Sequence, residues 1–318
     1  MITSYVHDHG GLRALPNGEA TAPVWVDLYQ PDAHELAIMS GRSGLDLPTR
    51  ADQEEIEQSS RLYLEDGVPV MTALLPSRRG TEGMHVGPVT FILRPQQLLT
   101  IRHHAPGPFE SFPTRAGKAS LGCDTAEAVL MGLLEEIIDR LADITEQTGR
   151  EIDAISRRVF GPEPMDTEAH RAALRQIGDA DTRVLMLRES LMTLERMLGF
   201  LAPVFDKGRA SKALRAMLKT HYRDVRTIGE HASYLQQKTA LLLDATLGMI
   251  NIEQNAIIKI FSVAAVAFLP PTLIASIYGM NFTHMPELDW PVGYPMALGM
   301  MVLSAVVPLW IFRRRGWL

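Results

Sequence analysis

Asn251–Leu288 reads NIEQNAIIKIFSVAAVAFLPPTLIASIYGMNFTHMPEL. From Ile260 to Pro286 it holds no Lys, Arg, Asp or Glu. A second stretch without charge follows from Pro291 to Phe312. Each is long enough to cross a bilayer core, which takes about 20 apolar residues. One such stretch is compatible with a buried core helix. Two in succession with a short loop between them predict a pair of membrane spans.

The remainder of the chain is different in kind. It has 318 residues with 31 Lys+Arg and 37 Asp+Glu, and nearly all of that charge lies before residue 256. The net charge of −6 disfavours general nucleic-acid binding. The single cysteine, Cys123, excludes an internal disulfide framework. Met1–Gly11 has neither a basic nor an apolar leader segment, so the N-terminal part is expected to stay in the cytosol. Lys259 precedes the first span and Arg313, Arg314 and Arg315 follow the second, while the loop between carries Glu287 and Asp289 and no basic residue. Basic residues favour the cytosolic side, so both termini are expected in the cytosol and the loop outside. Trp290, Trp310 and Trp317 fall near span ends, where aromatic belts form.

An α+β class is expected. Residues 1–118 read as a mixed α/β domain, with strands over Val24–Leu28, Leu62–Leu64, Val68–Leu75, Val89–Leu93 and Leu98–Arg102. Thr49–Asp52 suggests a helix start before Glu54–Ser60, Asp66-Gly67 a hairpin, and Ala105–Gly117 a connection. Residues 119–255 read as long helices forming a stalk: Asp124–Phe160 capped by Asp124 and stopped at Gly161–Pro164, then a helix or pair over Asp166–Phe205. Residues 256–318 are the membrane region, with spans at about 257–278 and 292–312, an outer loop at 279–291 and a basic tail at 313–318. No proline occurs between Pro203 and Pro270, so one helix is expected from Arg209 to Tyr278, about 105 Å at 1.5 Å per residue.

Alternate steps of three and four along that helix connect Asp244, Gly248, Asn251, Asn255, Ile258, Ser262, Ala265, Leu269, Thr272, Ser276 and Gly279. Every hydroxyl between Ala256 and Ile277 falls on this line. A repeat near 3.5 keeps one seam facing neighbouring helices. A single Ser or Thr in a span is explained by a hydrogen bond to its own backbone or to a neighbouring helix. Three aligned hydroxyls continuing into two asparagines and an aspartate instead suggest an axis lined by several copies. Two spans cannot enclose a pore alone. Pro270-Pro271 interrupts the hydrogen-bond ladder, which neighbouring helices tolerate.

At the outer end stand Gly279, Met280 and Asn281. A small, strongly hydrated divalent cation dehydrates reluctantly, so a selective entrance for one would hold the hydrated ion through its waters. A ring of Asn281 carboxamide oxygens suits that task without binding too tightly. Gly279 is expected to permit a backbone conformation closed to other residues, and Met280 to pack adaptably behind the turn. Glu287 and Asp289 would concentrate cations.

Asn251–Leu288 as a whole, with its Pro-Pro-Thr step and its Met-Pro-Glu-Leu loop, is similar to the bacterial CorA family of magnesium and cobalt transport proteins. The final Arg-Arg-Arg-Gly-Trp-Leu also resembles that family's tail. The resemblance implies a homopentameric channel in the plasma membrane, passing Mg2+ and often Co2+ and Ni2+, with Gly279, Met280 and Asn281 as outer filter. It places Thr272, Leu269, Ile258, Asn255 and Asp244 along the pore, with Leu269 and Ile258 as its constriction. It also implies an intersubunit cytosolic site where Mg2+ holds the channel closed. Asp224 in Tyr-Arg-Asp-Val is the candidate ligand, although ungapped counting falls nearer Thr220.

Two other readings stay open. One is a Zn2+ transporter of the same superfamily, for which His284 in the loop is a weak signal. The other is a membrane-anchored Mg2+ sensor that does not conduct. No phosphate-binding P-loop, His-Glu-x-x-His or Gly-x-Ser-x-Gly motif is present, so no enzyme activity and no resident cofactor are expected. His103-His104 is expected at the surface.

Overall fold

The computed structural model describes residues 1–16, 22–55, 57–78, 83–119, 121–162, 165–208, 210–280, 285–286 and 290–315. They form two compact units, Met1–Leu243 and Asp244–Leu318.

The first unit is built on a seven-stranded mixed sheet, ordered β2-β1-β3-β7-β6-β5-β4. The strands are β1 (Ile2–Asp8), β2 (Gly11–Pro16), β3 (Trp25–Tyr29), β4 (Leu62–Glu65), β5 (Val68–Arg78), β6 (Met84–Arg94) and β7 (Gln97–Arg102). Every pairing is antiparallel except β3 with β7. The β4–β5 hairpin turns at Asp66-Gly67, with φ of 48° and 83°, and β1–β2 turns at His9-Gly10, with φ of 46° and 83°. Two successive left-handed residues match the twist of a tight hairpin, and glycine occupies the second at no steric cost.

Alternation along the central strands sorts two cores. Trp25, Leu98, Met71, Phe91 and Leu93 face a core shared with helices, and Val26, Leu28, Ile92, Leu99 and Ile101 face the other side with Met39, Leu45 and Leu47. The parallel β3–β7 pair is locked by charge. Asp27 Oδ1 accepts from Thr100 Oγ1 at 2.7 Å, and Arg102 donates to Asp27 Oδ2 at 3.0 and 2.8 Å. Thr100 Oγ1 in turn accepts from Trp25 Nε1 at 3.0 Å. Both members of a buried ion pair are then hydrogen-bonded, as they must be where water is excluded.

Helix α1 (Ala33–Ser43) follows a capping box of Asp32 and Glu35 and ends at left-handed Gly44. Helix α2 (Arg50–Glu54) starts at the expected Thr49–Asp52 cap but stops at Glu55, whose ψ of 140° is extended; α3 (Gln58–Arg61) is a separate short turn. The expected connection at Ala105–Gly117 is instead mostly helix α4 (Pro108–Arg115), with Pro108 at its first position. There a proline forfeits no hydrogen bond.

Helix α5 (Ala126–Val159) is capped by Thr125, whose hydroxyl accepts from Ala128 N at 3.2 Å, and not by Asp124. Helix α6 (Thr167–Lys207) is a single helix that passes through Pro203, capped by Asp166. Helix α7 (Lys212–Tyr278) is continuous over 67 residues. It begins three residues after the expected Arg209, which lies outside the described residues. Its first turn is held by Ser211 Oγ accepting from Leu214 N. Within the first unit α7 joins α5 and α6 through Lys238 with Asp153, Thr239 with Asp181, and His221 Nε2 donating to the Met131 carbonyl at 3.1 Å. Leu218, Val225 and Ala232 of α7 complete the helical side of the core.

The second unit contains the rest of α7 and α8 (Gly293–Arg314). Both helices are long and apolar enough to cross a membrane, with mean hydropathy 2.0 over their most apolar windows. A sequence this apolar that is also this exposed calls for a nonpolar surround or further protein.

Candidate ion pathway and metal-binding residues

The two faces of α7 in the second unit are not equivalent. Val263, Ala264, Val266, Ala267, Pro270, Pro271, Ile274 and Tyr278 are partly buried. Asn251, Asn255, Ile258, Ser262, Ala265, Leu269, Thr272, Ser276 and Gly279 are exposed, as is Asp244; Gly248 is partly buried. At about 100° per residue the exposed line lies roughly opposite the partly buried face. Over residues 263–278 the stripe thus lies away from the side the chain itself covers, whereas residues 251–262 are exposed all round. The two large apolar members are well exposed, Ile258 at 60% and Leu269 at 66%.

Pro270 and Pro271 leave α7 unbroken. They remove the donors that would serve the Val266 and Ala267 carbonyls. Thr272 Oγ1 donates to the Phe268 carbonyl at 2.7 Å, so its proton is used within the helix. Its lone pairs remain available to a donor on the exposed face.

At the end of α7, Gly279 N donates to the Ala275 carbonyl at 2.9 Å and Met280 N to the Ile277 carbonyl at 3.3 Å. Gly279 is not in the left-handed region, contrary to expectation. Glycine is favoured there because a Cβ would stand 3.0 Å from the Ala275 carbonyl oxygen. Met280 is 48% exposed, so the packing expected behind the turn is at most partial within one chain. Asn281, Glu287, Asp289 and His284 lie outside the described residues.

Asp224 is exposed on α7 in the first unit. It borders a groove with Thr220, His221 and Met217 on the same helix and Glu135, Ile138 and Asp139 on α5. Spacing along α7 already placed Thr220 one turn from Asp224. Glu135 and Asp139 were not singled out from sequence, and their only local signal is the i, i+4 spacing of two carboxylates. Burial raises the Asp139 carboxyl above its ordinary range, with Glu136 and Asp143 adding to the effect. Among the described residues no group of three or more His, Cys, Asp or Glu side chains converges as a metal site.

His103 and His104 are half-buried, not fully exposed at the surface. Each ring has a buried nitrogen with no hydrogen-bond partner among the described residues. His104 Nε2 donates to the Leu75 carbonyl at 2.9 Å, and its ring lies against Gly87, where a Cβ would come within 2.9 Å of it. Burial lowers the His104 pKa to about 4. This histidine is a neutral part of the sheet's packing.

A charged sheet unit whose last helix runs on into an apolar pair of helices, with a polar stripe along the first, is the architecture of a membrane-bound ion transporter. The chain belongs to the CorA-like Mg2+ transporter protein family, whose model matches residues 21–314. It is 35% identical over 302 residues to a magnesium transport protein CorA of Pasteurella multocida, covering 95% of this chain and 94% of that protein. It is also 35% identical over 295 residues to a protein of the same name in Escherichia coli, covering 93% and 92%. Its fold matches the complete structure of the CorA magnesium transporter from Methanocaldococcus jannaschii with a TM-score of 0.75 at 19% identity, covering 100% of this chain and 99% of that one.

Proposed function

We propose that this family member is a homo-oligomeric channel, of five copies as the resemblance implies, for hydrated divalent cations, chiefly Mg2+ and also Co2+ and Ni2+. Its termini lie in the cytosol. The observation that carries this reading is the exposed polar stripe from Asp244 to Ser276, which over residues 263–278 lies opposite the face that the chain covers for itself. Copies arranged with these stripes inward would enclose an aqueous axis, whereas a lipid-facing orientation would leave Ser262, Thr272 and Ser276 in hydrocarbon.

The steps follow from the chemistry of the residues. Glu287 and Asp289 raise the cation concentration at the mouth. Gly279, Met280 and Asn281 form the filter, where carboxamide oxygens accept from the waters of the ion and leave its inner shell intact. Ser276, Thr272 and Ser262 continue that hydrogen bonding inward. Leu269 and Ile258 form apolar rings, which gate a narrow pore by excluding water. Asn255 and Asp244 receive the ion on the cytosolic side. The driving force is the concentration gradient plus the membrane potential, about 2.3 kcal/mol per charge per 100 mV and so roughly twice that for a divalent ion.

Cytosolic Mg2+ closes the channel through Asp224, with a carboxylate of a neighbouring copy completing the site. Bound Mg2+ then selects the closed arrangement because it binds that state better. Mg2+ serves here as cargo and as regulator, with no resident cofactor.

The test is dye-reported Mg2+ entry into proteoliposomes holding the full chain, with an inside-negative potential imposed by a K+ gradient and valinomycin. Uptake that scales with the potential is expected. A well-folded oligomer that admits no Mg2+ under any potential overturns the reading. The same vesicles with a Zn2+ dye and a pH gradient separate a Zn2+ transporter from a non-conducting sensor.

A further inference from the structure

We propose that Thr239 of α7, with Asp181 of α6, is a positioning residue: it fixes the axial register of α7 against α5 and α6, and so sets which carboxylates stand beside Asp224. The inference rests on reading Asp224 as a ligand of inhibitory Mg2+.

The face that α7 buries in the first unit follows a seven-residue repeat. Leu218, Val225, Ala232 and Thr239 form one buried row, and His221, Leu235 and Leu242 lie on a second. Such a repeat leaves register underdetermined, because a slip of one heptad brings each apolar position onto the next. A polar residue at a single seam position specifies register between packed helices. Thr239 is placed to do so. It is 1% exposed, and its hydroxyl lies 2.9 Å from Asp181 Oδ1 and 2.8 Å from the Gln236 carbonyl, which share its one proton. The carbonyl belongs to α7 itself, so the link to Asp181 is the one that depends on register. His221 donates to a backbone carbonyl of α5, a group that a slipped helix meets again at the next turn.

Three further pairs stand near the same level and join all three helices. Lys238 of α7 pairs with Asp153 of α5, Arg188 of α6 donates to Gln236 of α7, and Arg183 of α6 pairs with Glu151 of α5. These side chains are only half-buried, and ion pairs of that kind stabilise little. Each forms only when its two residues stand at matching heights. Together with Thr239 and Asp181 they close a polar layer beside the buried apolar residues Ala180, Val184, Leu235 and Leu242.

The consequence falls on Asp224. Lys238 and Asp153 are 85 residues apart in sequence, and so are Asp224 and Asp139, which line one groove with Glu135. Helices α5 and α7 therefore run parallel at a constant offset. The groove precedes the layer by 14 residues on both helices (Asp224 to Lys238, Asp139 to Asp153), or about 21 Å. A slip of one heptad, about 10 Å, would set Asp139 beside Met217 or His231 in place of Asp224. The negative field of Glu135 and Asp139 would leave Asp224, and Mg2+ would bind there less tightly.

The experiment uses the full chain and follows two readouts. One is Mg2+ current across planar bilayers against Mg2+ on the cytosolic face. The other is the distance between nitroxides introduced through Ala154→Cys and Gln237→Cys, at exposed positions of α5 and α7, in a Cys123→Ser background. Labelled copies are diluted in unlabelled ones so that only pairs within one chain are read. Wild type is expected to give one narrow distance. Thr239→Val keeps the shape and removes the hydroxyl. Combined with Asp181→Leu it makes this part of the layer apolar, and the double variant should melt no lower than the wild type. Both variants should show a second, shifted distance and an unchanged maximal current. Their half-inhibitory Mg2+ should rise about fivefold, the lower end of couplings between sites. Thr239→Ser, which keeps the hydroxyl, should match the wild type in both readouts.

A single unshifted distance in the double variant overturns the register claim. An unchanged half-inhibitory Mg2+ where the distance does shift overturns the positioning of Asp224. A wild-type current that cytosolic Mg2+ leaves unaffected removes the Asp224 reading instead, and the distances then decide the register alone.

Discussion

Thr272 donates its hydroxyl proton to the carbonyl of Phe268 at 2.7 Å, immediately after two prolines that leave the preceding turn short of donors. The hydrogen bond fixes the side chain on the exposed stripe and turns its lone pairs outward. The waters of a hydrated cation offer hydrogens, so an acceptor is what the stripe must present. Thr272→Val keeps the shape and removes the acceptor. It is expected to lower Mg2+ flux about fivefold, the worth of a hydrogen bond of roughly 1 kcal/mol. Thr272→Ser should retain most of it. Equal flux in all three proteins would take Thr272 off the pathway.

Gly279 is constrained by a neighbour and not by its own dihedral. A Cβ there would stand 3.0 Å from the Ala275 carbonyl oxygen, so the last turn of α7 would have to give by a few tenths of an ångström. Gly279→Ala is expected to cost about 1–3 kcal/mol of local strain and to displace the filter. The prediction is impaired Mg2+ flux with the oligomer still assembled, as read by size-exclusion chromatography with light scattering. Normal flux would show that the end of α7 tolerates the shift.

Asp224 shares its groove with Glu135 and Asp139. If Mg2+ at Asp224 closes the channel, Asp224→Ala should raise the half-inhibitory cytosolic Mg2+ about tenfold, equivalent to roughly 1.4 kcal/mol of site affinity. Asp139 has its carboxyl raised by burial, so it takes up protons at a higher pH than an ordinary aspartate. Acidification should therefore weaken inhibition in the wild type. Inhibition that is the same in Asp224→Ala and wild type rejects the assignment.

His104 gives the first unit a pH dependence of known sign. Its pKa falls from 6.5 to about 4 on folding, chiefly by desolvation. A base with a lowered folded pKa favours the folded state above pH 6.5, and that contribution is lost as pH falls from 6.5 towards 4. The structural cause is specific. Nε2–H is already given to Leu75, so a second proton must go to Nδ1, which is buried and has no acceptor. The full chain in detergent should lose about 1–2 kcal/mol between pH 7 and pH 5, after allowance for partial solvation. His104→Gln, which keeps a donor for Leu75, should flatten the curve. An equally steep curve in the variant would place the acid sensitivity elsewhere.

The membrane pair was legible because a bilayer imposes a demand on composition. Two stretches without a charge cannot be disguised by tertiary context, and the stripe from Asp244 to Ser276 is a property of a single continuous helix. The central strands were legible for a similar reason, since β5 and β6 bury alternate residues on two different cores. The outer hairpin of β1 and β2 was missed because His7, Asp8, His9 and Gly10 hide the alternation at the turn. Helix α1 was missed although Asp32 and Glu35 spell its capping box. Helix α4 was missed because Pro108, Pro113 and Gly117 read as loop, whereas Pro108 sits where a helix tolerates it. The companions of Asp224 could not be read from order along the chain. Glu135 and Asp139 reach it only because α5 and α7 pack side by side, 85 to 89 residues apart in sequence.

The central claim is that this chain conducts hydrated Mg2+ through a filter containing Asn281. The most direct measurement is potential-driven Mg2+ uptake into proteoliposomes by the wild type and by Asn281→Ala, at matched protein incorporation. Uptake is expected to rise with inside-negative potential in the wild type and to fall to the level of empty vesicles in the variant. Equal uptake by the two proteins would contradict the filter, and no uptake by either well-folded oligomer would contradict conduction itself.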